Sequence, residues 1–135
     1  MKKLFLDTNI VIDMLEERKP YSDDAVKLFT MAYYKKVKLI VSPITYSTAA
    51  YLLRKHGENE VRRLLANFRQ LSHVATTNEQ VVDNSLASQF DDIEDAIQYY
   101  TAVKSNADVI ITRNGKDFTH SRIPVMTAGE YIERK

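Results

Sequence analysis

Two hydrophobic rhythms alternate along the chain. Short, mostly apolar runs at 3–6, 38–42 and 108–112 read as strands buried on both faces, the pattern of a parallel sheet. Weaker runs at 71–75 and 123–126 bring the set to five. Between them, apolar positions recur three and four apart, as in amphipathic helices. Ile10, Val11, Met14 and Leu15 form one stripe, Ala25, Leu28, Phe29 and Ala32 a second, and Val61, Leu64, Leu65 and Phe68 a third. Local signals mark the ends. Arg18-Lys19-Pro20 closes the first helix, which covers 10–17, and Ser22 opens the second. Pro43 suits the first turn of the next, Gly57 stops it, and Asn59 caps a helix over 60–70. Thr77 or Asn78 caps a helix to about 88. Asp91 or Asp92 opens the longest one, with Ile93, Ala96, Ile97, Tyr100, Ala102 and Val103 assigned to its inner side. Thr127 caps a terminal helix.

Strands separated by helices imply an α/β fold: a central parallel sheet of about five strands, helices on both faces, and right-handed crossovers. The two helices between the second and third strands are an insertion in that scheme. The 135 residues are expected to form a single domain, 1–135. With 44% hydrophobic residues and little Gly or Pro, the chain can bury a real core.

Composition removes several chemistries. The chain has no cysteine, so disulfides, thiol nucleophiles and cysteine-ligated zinc are excluded. His56, His73 and His120 stand far apart, in no ligand spacing. A formal net charge of +1 does not advertise a nucleic-acid partner through bulk electrostatics. No apolar run approaches membrane length and no signal peptide is seen, so a cytoplasmic protein with no membrane partner is expected.

The remaining chemistry lies in acids at strand ends and helix starts. Asp7 ends the first strand, and open α/β sheets bind ligands at that end of their strands. Asp92 and Asp95, three apart at a helix start, share a face. Asp117 follows Thr112 by five residues, past the Asn114-Gly115 turn. Each alone has an ordinary reading as a cap, a dipole partner or a turn residue. Together, the topology gathers them at one end of the sheet. Clustered carboxylates raise each other's pKa values unless a cation lies between them. Oxygen ligands without sulfur or imidazole suit Mg²⁺ or Mn²⁺, ions that activate water for attack on a phosphodiester.

Three segments carry a resemblance: Leu6-Asp7-Thr8-Asn9-Ile10, then Asp92-Ile93-Glu94-Asp95-Ala96-Ile97-Gln98, then Ile111-Thr112-Arg113-Asn114-Gly115-Lys116-Asp117-Phe118. In order and spacing they resemble the motifs of PIN-domain nucleases, which include the VapC-type toxins of toxin–antitoxin pairs. The resemblance implies a three-layer α/β/α sandwich and an endoribonuclease acting on single-stranded RNA with Mg²⁺ or Mn²⁺. It implies Asp7, Asp95 and Asp117 as metal ligands and Asp92 as a further acid. Asn9, Thr112 and Asn114 would be supporting polar residues. An antitoxin and a homodimer are the expected protein partners.

One position departs from that pattern. Members usually carry a glutamate six residues past the serine that ends the second strand, where this chain has Thr48. A hydroxyl holds water but brings no charge and is no base near neutral pH. Thr48 is therefore expected as a polar site residue with weakened metal affinity. A PIN-like module without catalysis, binding RNA or protein, is the alternative function. Arg113 and Lys116 flank the last motif and are the expected phosphate contacts. Arg54, Lys55, Arg62, Arg63 and Arg69 are assigned to solvated helix faces. Tyr46, Tyr51, Tyr99 and Tyr100 are assigned to core or subunit contacts over base stacking.

Overall fold

A computed structural model describes residues 1–134. Five parallel strands, β1 (Lys2–Leu6), β2 (Val37–Val41), β3 (Ser72–Val74), β4 (Val109–Ile111) and β5 (Val125–Met126), form one sheet in the order β3-β2-β1-β4-β5. Seven α-helices connect or follow them: α1 (Thr8–Leu15), α2 (Tyr21–Tyr33), α3 (Pro43–Leu52), α4 (Glu58–Leu71), α5 (Glu79–Leu86), α6 (Ile93–Lys104) and α7 (Ala128–Glu133). Short 3-10 turns span Arg54–His56 and Gly115–Phe118. This is the expected α/β arrangement, with α3 and α4 as the inserted pair. Among the described residues no helix is long and apolar enough to cross a membrane.

The central strands β1, β2 and β4 are apolar at their middle positions because helices cover both faces. Leu4, Leu6, Leu39, Val41, Val109 and Ile111 point to one side, where they pack with Ile10, Val11, Leu28, Phe29, Phe68 and Tyr131. Phe5, Ile40 and Ile110 point to the other, against Tyr99 and Ala102 of α6 and Phe118. Central β1 thus has its three fully buried residues Leu4, Phe5 and Leu6 alternating between two cores. Its end is held from both sides by ladders to β2 and β4.

Two readings of the helices need correction. The longest helix is α4, not α6. It starts at Glu58 because Gly57, at φ 89°, turns the chain into it before Asn59 is reached. The buried face of α6 is also rotated from the expected one. Ala96, Gln98, Tyr99, Thr101 and Ala102 are buried, while Ile93 and Val103 are exposed. Burial follows the small and hydrogen-bonded residues that fit closely against the sheet, not the largest apolar ones.

Candidate active site

The register between β1 and β4 places Leu6 beside Ile111, so the residues that follow, Asp7 and Thr112, leave the sheet side by side. Asp7 caps α1: its Oδ1 accepts the Thr8 N–H at 2.9 Å. Its Oδ2 accepts the Thr112 hydroxyl at 2.8 Å and the Asn9 amide at 3.2 Å. The same Asn9 nitrogen lies 3.4 Å from Thr112 Oγ1, and Asn9 Oδ1 accepts the Arg113 N–H at 3.4 Å. Asn114 joins through its backbone, whose N–H donates to Thr112 Oγ1 at 3.0 Å, while its side chain is exposed. Burial pushes the Asp7 carboxyl above the usual range. Hydrogen bonds from Thr112, Thr8 and Gln98 oppose the shift, and the charge of Asp117 adds to it.

Asp92 caps α6, accepting from the N–H groups of Glu94 (2.7 Å) and Asp95 (3.2 Å). Asp95, half-buried in the first turn, has its carboxyl pushed up to about 7. Burial is the main cause, followed by the charges of Asp92, Asp117, Asp7 and Glu94. The four acids selected from the sequence thus share one electrostatic environment. Glu94, not selected, belongs to it as well: burial first, then Asp92 and Asp7, raise its carboxyl. Asp92, Asp95, Lys116 and Asp117 line a cleft of about 80 Å³ walled by Phe90 and His120. Every charged donor in this set is a carboxylate oxygen, the chemistry of a hard divalent cation. Among the described residues no three acidic or histidine side chains converge closely enough to hold an ion as they stand. Asp7, Glu94 and Asp95 are raised first by burial and then by the negative charge around them.

A family model described as PIN domain matches residues 3–116. The chain belongs to the PIN domain family. It is 25% identical over 138 residues to Ribonuclease VapC1 of Aquifex aeolicus, an alignment covering 98% of this chain and 95% of that protein. A chain in a toxin–antitoxin complex from Klebsiella pneumoniae is 26% identical, with a TM-score of 0.67 over 93% of this chain and 97% of that one. A chain of VapBC2 from Rickettsia felis, bound to a DNA fragment from its promoter, shares the fold. Its TM-score is 0.69 at 16% identity, over 92% of this chain and 96% of that one. The match to the family model contains Asp7, Asp92 and Asp95 and stops one residue before Asp117.

Beneath the acids, this PIN domain buries a polar network that the sequence reading did not pick out. Gln98, 1% exposed, accepts the Ser42 hydroxyl at 2.5 Å through Oε1. Its Nε2 donates toward Thr8 Oγ1 (3.3 Å) and Thr45 Oγ1 (3.4 Å), and those two hydroxyls lie 2.9 Å apart. The network joins the starts of α1 and α3 to α6, and so fixes where Asp7 stands relative to Asp95. The α3 hydroxyl bonded into it is Thr45. Thr48 lies one turn further along the same helix and is half-buried.

Arg113 is paired within the protein. Its guanidinium grips Asp13 with Nε at 2.6 Å and Nη2 at 3.1 Å, and lies 4.1 Å above the Tyr21 ring. Asp13 is 1% exposed and Arg113 is half-buried, so the pair clamps α1 to the loop after β4. Lys116 is exposed and faces the acid cleft. Arg62 and Arg63 pair with Glu58 and Glu60 on the solvated face of α4, as expected. Tyr99 is buried in the core, whereas Tyr51 is exposed beneath the Arg54 guanidinium.

Proposed function

We propose that this PIN domain is a divalent-metal-dependent endoribonuclease that cleaves single-stranded RNA, acting as the toxin of a toxin–antitoxin pair. The observation that carries the reading is the gathering of Asp7, Asp92, Asp95 and Asp117 at the carboxyl end of a parallel sheet, where burial first and the neighbouring acids second push the Asp95 carboxyl up to about 7. Such a cluster has a use when a cation occupies it. Asp7, Asp95 and Asp117 would hold Mg²⁺ or Mn²⁺. An ion held there would supply Lewis acidity toward a phosphate oxygen and an attacking water.

The chain's own residues orient the ligands. The Thr112 hydroxyl and Asn9 amide hold Asp7 Oδ2 in one rotamer, and the backbone of Asn114 fixes the Thr112 hydroxyl in turn. Asp92 holds the first turn of α6, which aims Asp95, and adds its own charge to the cluster. Lys116, exposed at the acid cleft, is placed to meet a phosphate, and Arg113 steadies the loop that carries it. Support for RNA as substrate comes from the relative named as a ribonuclease, and the small cleft suits one backbone better than a duplex. The complexes named as toxin–antitoxin and VapBC2 support an antitoxin partner. A homodimer working in the cytoplasm completes the proposal.

Incubation with single-stranded RNA, in Mg²⁺, Mn²⁺ or EDTA, tests it. Cleavage with either metal and none in EDTA is expected; undiminished cleavage in EDTA contradicts metal dependence. Thr48, where the resemblance implies a glutamate, favours a second reading: a PIN fold that binds RNA without cutting it. Metal-independent RNA binding without cleavage would support that reading.

A further inference from the structure

We propose that the aromatic cleft beside the acids is a stacking subsite for one unpaired nucleobase of the RNA. The proposal rests on the RNA reading given above. The acid cleft and a second cavity of about 470 Å³ share two walls, Phe90 and His120. Tyr100 and Arg122 also line the second cavity. An RNA strand leaving the acid cleft along these shared walls would enter this cavity.

Phe90 is the centre of the platform. Its ring centroid lies 5.2 Å from Tyr99, 5.8 Å from His120, and 6.3 Å from both Tyr100 and Phe118. Tyr99 and Phe118 are buried, and the Tyr99 hydroxyl accepts the Arg122 N–H at 3.2 Å. Phe90 is therefore held by its neighbours yet only half-buried. A ring fixed before binding loses little freedom when a base stacks on it. Every base offers a π-face, so such a platform accepts unpaired nucleotides broadly. Charge completes the fit. Lys116 stands in the acid cleft and Arg122 in the aromatic one, so cations flank both ends of the step between phosphate and base. These two cations, together with continuity with the acids, favour a nucleic acid over an apolar protein segment.

The test uses a labelled single-stranded oligoribonucleotide that the full chain cleaves, and versions with one abasic residue walked along it. Phe90→Leu keeps apolar volume and removes the π-face. Tyr100→Leu is the second variant should the first fail to fold. Expected are a KM raised on the order of tenfold with kcat changed far less, and a matching loss for wild type with an abasic residue next to the cut. The two defects should not add: the variant should ignore the missing base. Cleavage and KM unchanged in both folded variants overturns the subsite while leaving the nuclease reading intact. Binding that weakens in the variants, in a protein that never cleaves, keeps the subsite and removes the nuclease. Unchanged RNA affinity with a shifted mass in light scattering gives the face to a second copy of the chain and overturns the proposal.

Discussion

The hydroxyl of Thr112 lies 2.8 Å from Oδ2 of Asp7 and joins the ends of two neighbouring strands. Residues 105 positions apart are brought together by register alone. The bond favours the ionised form of Asp7 where burial disfavours it. Asp7 is at once a helix cap and a member of the acid cluster, two readings that seemed alternatives in the sequence.

Asp7→Asn separates those roles. Asparagine keeps the oxygen that accepts from Thr8 and relieves a buried negative charge. The metal-free variant should melt at the wild-type temperature or above it, while RNA cleavage falls by orders of magnitude. Calorimetric melting beside a cleavage assay decides. A strong drop in melting temperature would make Asp7 a cap and nothing more.

Asp95 makes stability depend on pH. Its folded pKa of about 7 lies above the ordinary value of 3.8, so the folded state binds the extra proton. The contribution is fully present below the unfolded pKa and is lost as pH rises through 7. Water meets part of the side chain, and screening reduces the effect to about 1 kcal/mol. Metal-free wild type should therefore lose more stability than Asp95→Asn between about pH 3 and about pH 8, on either side of the shift from 3.8 to about 7. Parallel stability curves for the two proteins would count against the shared acid environment.

Much of this was legible in the sequence. The acids at strand ends, the Asp92 and Thr127 caps and the two-sided burial of the strands follow from residue type and period. The support beneath the acids did not, because periodicity assigns polar residues to water. Gln98 interrupts the apolar run of α6 and Asp13 that of α1, and each is 1% exposed because a partner from distant sequence satisfies it. An isolated polar residue inside an apolar stripe was the available signal. Its partners, Ser42 and Arg113, depend on the sheet order, which local pattern does not contain.

The Asp13–Arg113 clamp predicts a large, reversible cost. Arg113→Ala leaves a carboxylate buried without its partner and should destabilise by about 3 kcal/mol. Removing both charges, with Asp13→Leu and Arg113→Met, should recover most of that. Urea unfolding gives the numbers. If RNA affinity stays low in the refolded double variant, Arg113 also contacts substrate.

Thr48→Glu adds an acid on the helix that carries Thr45 into the buried network. Added anionic charge should tighten Mn²⁺ binding and raise the cleavage rate. Equal affinities by calorimetry would mean that position 48 faces away from the acids.

The most direct measurement is a calorimetric titration of Mn²⁺ into the metal-free protein at pH 7, in two buffers of different ionisation enthalpy. An acid with a pKa of about 7 is half protonated there, and a cation bound among these carboxylates must displace that proton. The account predicts release of about half a proton per ion bound, abolished in Asp95→Asn. Binding with no proton release, or release unchanged in Asp95→Asn, would contradict a metal site shared by Asp7, Asp95 and Asp117.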